Sequence, residues 1–370
     1  MRTTSDIIIV GAGIVGAACA RAFARDGLRV TIVDAAMIGG GATAAGMGHV
    51  AVMDDNPAQL ALTHYSHQLW QELAAELPED CEYDPCGTLW VAADDEELSA
   101  ARQKLATLGN RGVRAELLDA QQLAEAEPQL RSGLAGGLLQ GDDLIVYPPC
   151  VARYMIDQAR EKGAELRLDS PVASLGGDHV LLADGTRLAA GHVVNAAGTA
   201  AVRLTPGLPI CPRKGHLVIT DRYRGFIRRE LVELGYIKSA AGGATESVAL
   251  NVQPRRTGQL LIGSSRQFGV ESDKVEPAIL GRMLRRAIEY LPGLARLSAV
   301  RSWTGFRAAT DDNLPLIGPW PTVPGLYLAT GHEGLGITTA LATAELLADM
   351  LAGRKSKIPR EPYLPERIHG

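Results

Sequence analysis

Two hydrophobic periodicities alternate along the chain. Residues 6–10 form an unbroken apolar, β-branched run of the kind buried on both faces in a parallel sheet, residues 14–25 carry helical spacing, and residues 28–33 form a second apolar strand. This order predicts a βαβ unit. The same texture returns at residues 192–195, a short apolar strand ending in Ala196, Ala197 and Gly198, and at residues 326–329, which lead through Gly331 into an apolar helix reaching Leu351. These segments are expected to join one sheet although the chain separates them. Between them, residues 87–93 and 211–265 show alternating or β-branched patterns punctuated by Gly and Pro, which predicts a mostly antiparallel sheet. Residues 94–130 read as amphipathic helices closed by Pro128. With no internal repeat and no low-complexity linker, the economical reading is an α/β (α+β overall) fold of two interleaved domains. One, with the parallel sheet, takes residues 1–80, 140–210 and 300–370; the other takes 81–139 and 211–299.

Composition narrows the class. The 370 residues suffice for two or three domains of about 150 residues each. Hydrophobic residues at 46% and charged residues at 21% exclude wholesale disorder and a coiled coil. Lys plus Arg number 37 against 42 acidic residues, a net charge of −5, which argues against a general electrostatic grip on nucleic acid or anionic lipid. Five cysteines, an odd number scattered along the chain, fit reduced thiols and a reducing, cytoplasmic compartment. Arg2 followed by an apolar stretch superficially resembles a secretory signal, but Gly11, Gly13 and Gly16 interrupt it and it runs into the βαβ unit, so cleavage is not expected. No uninterrupted apolar run approaches the roughly 20 residues of a transmembrane helix. Any membrane contact would be peripheral, at the inner face.

The turn Gly11-Ala12-Gly13-Ile14-Val15-Gly16 is G-x-G-x-x-G between a predicted strand and a predicted helix, and Asp34 ends the next strand. The first Gly permits the tight turn, the second lets a pyrophosphate approach the backbone, and the third lets helix and strand pack closely. The helix start then offers free N–H groups and partial positive charge to phosphate. Asp34 is placed to accept from a ribose 2′,3′-diol, and its charge disfavours a 2′-phosphate. NAD and FAD share this cradle, so the turn alone does not choose between them.

Four further stretches choose. The small-residue loop from Gly39 through Ala42, Thr43, Ala44, Ala45, Gly46 and Met47 to Gly48 would allow close approach of a flat ring or phosphates. Together with Val193-Val194-Asn195-Ala196-Ala197-Gly198, with Thr304-Gly305-Phe306-Arg307 followed by Leu316-Ile317-Gly318, and with Gly331-His332-Glu333-Gly334-Leu335-Gly336-Ile337, it resembles the D-amino-acid oxidase superfamily of FAD-dependent enzymes over nearly the whole chain. Within that superfamily the texture is similar to glycine oxidase, the sarcosine oxidase β subunit, the third subunit of hydrogen cyanide synthase and, most of all, the D-hydroxyproline dehydrogenase β subunit.

The resemblance implies a Rossmann-like FAD-binding domain and specific roles. Gly11, Gly13, Ile14, Val15 and Gly16 would hold the pyrophosphate; Asp34 and Ala35 would meet the ribose, with Asp where the family more often has Glu. Ala42, Thr43, Ala45, Gly46 and Met47 would lie along the phosphates and isoalloxazine, Val172 would meet adenine, and Ala197 and Gly198 would pack beside the cofactor. His332, Glu333, Gly334, Leu335, Gly336, Ile337 and Thr338 would face the flavin N1 and C2 carbonyl edge, where a helix start favours negative charge. Arg307 would grip the substrate carboxylate in a planar fork; its plainer reading is an ion pair with Asp311 or Asp312. Asn251 stands where the family often has a substrate-facing tyrosine. His49 follows the flavin loop and either borders the pocket or serves as a structural hydrogen-bonder, and Tyr147 reads as core packing at a domain crossing. Gly305 occupies the position where some relatives tether flavin through cysteine, so FAD would be noncovalent. Cys81 and Cys86 lack a partner histidine, and no metal site is expected.

The activity implied is oxidation of a D-amino or imino acid of the D-hydroxyproline or D-proline type to the imine by hydride transfer to flavin. The enzyme would work as a dehydrogenase in a hetero-oligomer that passes electrons to a partner subunit, a quinone or O2. Glycine or sarcosine oxidation with O2 and a flavin-bearing electron-transfer or scaffold subunit are the alternatives; the superfamily's tRNA-modifying branch is disfavoured by the acidic balance.

Overall fold

The computed structural model describes residues 5–52, 56–235 and 246–368. Positions 236–245, within the strand-patterned stretch 211–265, lie outside these, as does Arg2. The first strand, Ser5–Val10, runs parallel to Val30–Val33 on one side and to Arg187–Asn195 on the other. Glu165–Arg167 extends the sheet beyond Val30–Val33, and Leu326–Thr330 lies parallel beyond Arg187–Asn195. Segments distant in sequence therefore do share one parallel sheet, finished at one edge by antiparallel Leu316–Pro319. Their apolar runs are nearly continuous because helices cover one face and a second apolar cluster the other.

Helix Ile14–Arg25 follows the glycine turn with the predicted bounds. It packs between Pro148–Glu161 and Gly336–Leu351 through Ala17, Ala20, Ala24, Ala340 and Ala344, small side chains that let helix axes approach. Helix Pro57–Ala74, capped by the Asn56 side chain, closes the layer, and its Trp70 donates to the carbonyl oxygens of Ile337 and Thr338. Burying Phe23 and Trp70 completely stabilises this layer by on the order of 2–3 kcal/mol each.

The second sheet has nine strands and is antiparallel except where Glu230–Glu233 runs parallel to Thr88–Ala92. Its backbone is the long pairing of Cys211–Thr220 with Ala299–Ala309 on one edge and with Leu260–Phe268 on the other. Helix Pro277–Tyr290 packs on its outer face through Met283, Ala287 and Tyr290.

Two expectations need correction. The stretch 94–130 is not wholly helical: after helix Asp95–Gly109 the chain makes strand Glu116–Asp119, which pairs with Gly136–Gln140, before helix Ala120–Ala126. That strand is short and mostly exposed at the sheet edge, so it carries no apolar run to announce it. Ala299–Ala309 and His332–Glu333 belong to the antiparallel sheet, and the chain returns to the parallel sheet at Leu316. Tyr147 is 39% exposed rather than core, with the Arg255 guanidinium 5.1 Å from its ring centre.

Candidate active site

A cavity of about 950 Å³ is lined by residues of both the parallel and the antiparallel sheet. Its nucleotide end is built by the glycine turn. Gly11 has φ +113°, and a Cβ there would fall 2.5 Å from Ala196 O; a Cβ at Gly16 would fall 1.9 Å from Gly11 O. Gly16 is accordingly packed out of the cavity wall, while Gly11, Gly13, Ile14 and Val15 form it. No side chain caps the helix start at Gly13; Ile14 N–H donates to Thr43 Oγ1 at 3.0 Å. The Asp34 carboxylate is fixed by Ala12 N–H at 2.7 Å and Ala36 N–H at 2.9 Å, and Ala35, Val172, Ala197 and Gly198 lie around the same end.

The small-residue loop forms one long wall. Ala42–Ala45 is a single helical turn, and Ala42, Thr43, Ala45, Gly46 and Met47 all face the cavity. Strand Ala299–Ala309 passes so close that a Cβ at Gly305 would lie 2.4 Å from the Ala45 Cβ. At the far end are His332, Glu333, Gly334, Leu335, Gly336, Ile337 and Thr338, where helix Gly336–Leu351 begins without a capping side chain. His332 is buried, its Nε2 3.0 Å from Thr343 Oγ1, and burial pushes its pKa down to about 3. Thr338 Oγ1 donates to His49 O at 3.0 Å.

Opposite this loop stands a cationic wall. Arg307 donates to Ser265 O at 3.0 Å, and its guanidinium lies over Gly215, where a Cβ would come within 2.7 Å of Nη1. Asp312, one of the two carboxylates considered as its ion-pair partner, pairs with Arg367 at 2.8 Å. Arg213, directly across the strand pair from Arg307, and Arg266 also face the cavity. Sequence reasoning missed both. Arg213 Nη1 lies 2.9 Å from Glu333 Oε1, and Arg266 Nε lies 3.9 Å from the same oxygen. The three guanidiniums hold the buried Glu333 carboxyl below its ordinary range despite its burial. Arg213 is in turn lowered, by burial first and by its two cationic neighbours. Two basic residues beside a glycine within a predicted strand, Arg213-Lys214-Gly215, were the available signal, but the pairing register that brings Arg213 to Arg307 is tertiary.

Asn251 and His49 line the cavity beside this wall. Asn251 Oδ1 is buried without a hydrogen-bond partner, while its amide supports the Glu230 carboxyl. His49 Nε2 lies 2.7 Å from Thr88 Oγ1, and Nδ1 lies 3.0 Å from Glu230 Oε1 without hydrogen-bond alignment, so the ring is a cavity wall tied to Thr88. Desolvation pushes His49 down to about 3 and Glu230 up to about 8. Among the described residues, no group of three or more His, Cys, Asp or Glu is arranged to hold a metal ion, and no helix is long and apolar enough to cross a membrane.

The cavity's Cβ-intolerant glycine turn and its two helix starts without capping side chains fit an extended dinucleotide. Comparison with known proteins gives the same reading. The chain is 30% identical to glycine oxidase of Pseudomonas aeruginosa, over 97% of this chain and 98% of that protein. It is 27% identical to hydrogen cyanide synthase subunit HcnC of the same organism, over 100% and 97%. The crystal structure of glycine oxidase from Geobacillus kaustophilus superposes with a TM-score of 0.87 at 26% identity, covering 97% of this chain and 98% of that one. The model of the FAD dependent oxidoreductase family matches residues 6–350, and the chain belongs to that family.

Proposed function

We propose that the chain oxidises a D-amino or imino acid, of the D-hydroxyproline or D-proline type, to the corresponding imine. The observation that carries the reading is the cationic wall, in which Arg307, Arg213 and Arg266 face the cavity against one carboxylate, Glu333. Such a wall recruits an acid. Arg307, anchored at one N–H and supported by Gly215, holds the substrate carboxylate, and its planar fork fixes the α-carbon's position.

Bound FAD supplies a two-electron acceptor for the hydride from the α-carbon. Gly11, Gly13, Ile14 and Val15 would hold its pyrophosphate, Asp34 its ribose and Val172 its adenine. The Ala42–Met47 loop and the His332–Thr338 turn would flank its ring. Gly305 leaves no thiol for a tether, so the binding is noncovalent. The chain itself binds, orients and excludes water: Trp90, Met47 and Leu217 make the surrounding lining apolar. Asn251, where relatives often carry a substrate-facing tyrosine, lines the same cavity beside the cationic wall.

Glycine or sarcosine oxidation by O2 is the second reading, favoured by the likeness to glycine oxidases. The dehydrogenase would deliver electrons to a partner subunit or quinone, in a hetero-oligomer, which the likeness to hydrogen cyanide synthase subunit HcnC supports. Parallel assays of artificial-dye reduction and oxygen consumption with D-hydroxyproline, D-proline, glycine and sarcosine separate the readings. Dye reduction with the cyclic acids is expected; rapid oxygen consumption with glycine alone would replace the first reading by the second.

A further inference from the structure

The guanidiniums of the cationic wall come from three neighbouring strands. Arg307 of Ala299–Ala309 pairs in register with Arg213 of Cys211–Thr220, and Arg213 pairs on its other side with Phe268 of Leu260–Phe268. Arg266 stands two positions before Phe268 and so shares its face. All three arginines therefore line one cavity as cross-strand neighbours. The proposed oxidation uses only Arg307. A second acid group, a short arm beyond one seated on Arg307, would come to Arg213 and Arg266.

That position is already filled. His332–Glu333 pairs with Ala308 and Ala309 at the sheet edge, which brings Glu333 beside Arg307. Its Oε1 lies 2.9 Å from Arg213 Nη1 and 3.9 Å from Arg266 Nε, and its Oε2 accepts from Gly334 N–H. Arg213 is itself held, with the Phe268 ring centre 4.2 Å from its guanidinium carbon and Asn313 Oδ1 3.5 Å from Nη2. Only 11% of the Glu333 side chain is exposed. Its backbone has φ +51°, a left-handed conformation that glycine adopts freely and that glutamate adopts only where its surroundings enforce it. Glycine would suit the turn, but it brings no carboxylate.

We propose that Glu333 is a specificity-determining residue: it fills, as a built-in carboxylate, the anion position at Arg213 and Arg266, and so restricts the enzyme to amino and imino acids with a single carboxylate. The role rests on the reading above in which Arg307 holds the substrate's acid.

Burial alone would push the Glu333 carboxyl up, but the Arg266, Arg307 and Arg213 guanidiniums outweigh it and keep the group charged. A second substrate carboxylate would meet that charge at close range, and displacing Glu333 would strip a buried carboxylate of its cations. A neutral substituent meets neither cost. Specificity of this kind is built by opposing the unwanted ligand rather than by adding contacts to the favoured one.

The test is calorimetric titration of the FAD-loaded protein at pH 7 with pentanoate and with glutarate, chains of equal length that end in a methyl group or in a second carboxylate. Wild type is expected to bind pentanoate at least tenfold more tightly. Glu333→Gln, of the same shape without the charge, should shift the preference at least tenfold toward glutarate. Glu333→Asp, which keeps the carboxylate, should hold the wild-type preference within threefold. Adding Arg213→Met to Glu333→Gln should abolish the shift. Glu333→Gly, suited to the left-handed backbone, repeats the test if the glutamine variant does not fold. An unchanged preference in Glu333→Gln, including an equal loss of both acids, would overturn the proposal, as would a wild type that favours glutarate. Absence of pentanoate binding to wild type would remove Arg307 as the acid anchor and this role with it. Neither ligand carries an amine, so the titration does not depend on turnover. If no amino or imino acid bleaches the flavin, the oxidation reading fails while the preference ratio still decides the role of Glu333.

Discussion

Arg307 is held at one N–H by Ser265 O and rests on Gly215, so what it offers the cavity is a pre-set fork. Arg307→Lys replaces that fork with a point charge. Losing one charge-assisted hydrogen bond, worth about 1.5–3 kcal/mol, should raise KM about 10- to 100-fold in steady-state assays, with FAD content unchanged. An unaltered KM would mean the carboxylate anchor lies elsewhere on the wall. Glu230 yields a stability prediction. Its folded pKa, raised by burial to about 8, exceeds the unfolded value near 4.5, so between these pH values the folded state holds a proton the unfolded state has lost. Stability from this group is full below about pH 4.5 and is lost as pH rises toward 8. Urea midpoints should therefore fall between pH 5 and 8 in wild type and fall less in Glu230→Gln, which mimics the protonated form. Arg307 was readable because it sits in a distinctive local run. Arg213 and Glu230 matter through Glu333 and Gln253, partners 120 and 23 residues away, and no local pattern in the sequence reports such pairings.

Among the elements, the βαβ unit was the most legible. Its strand, turn and helix are specified by contiguous residues, and Ile14–Arg25 has the predicted bounds. The same economy makes it brittle. Gly16→Ala would place a Cβ 1.9 Å from Gly11 O, against backbone that cannot move without opening the phosphate turn. Overpacking of this kind typically costs about 1–3 kcal/mol. The variant should show a lowered Tm together with weaker FAD retention on gel filtration, whereas a fully yellow protein with wild-type Tm would contradict this account of the turn. The strand that was misread has a physical reason: Glu116–Asp119 is an exposed edge, so it does not show the apolar alternation that marks a half-buried strand.

At the scale of the whole molecule, the parallel sheet carries the glycine turn and the antiparallel sheet carries the cationic wall, and the proposed reaction space lies where Gly305 and Ala45 bring the two together. The glycine turn and the arginine-bearing run could each be found in the sequence. Their facing across one cavity depends on the ten-pair register of Cys211–Thr220 against Ala299–Ala309 and on the chain's repeated crossings. The most direct measurement is anaerobic titration of the purified yellow protein with D-hydroxyproline and D-proline, following the oxidised-flavin absorbance. Complete bleaching at one equivalent of electron pairs per flavin is predicted. An absorbance that stays unchanged with every amino or imino acid tried, in protein shown to hold FAD, would contradict the assignment of this cavity to amine oxidation.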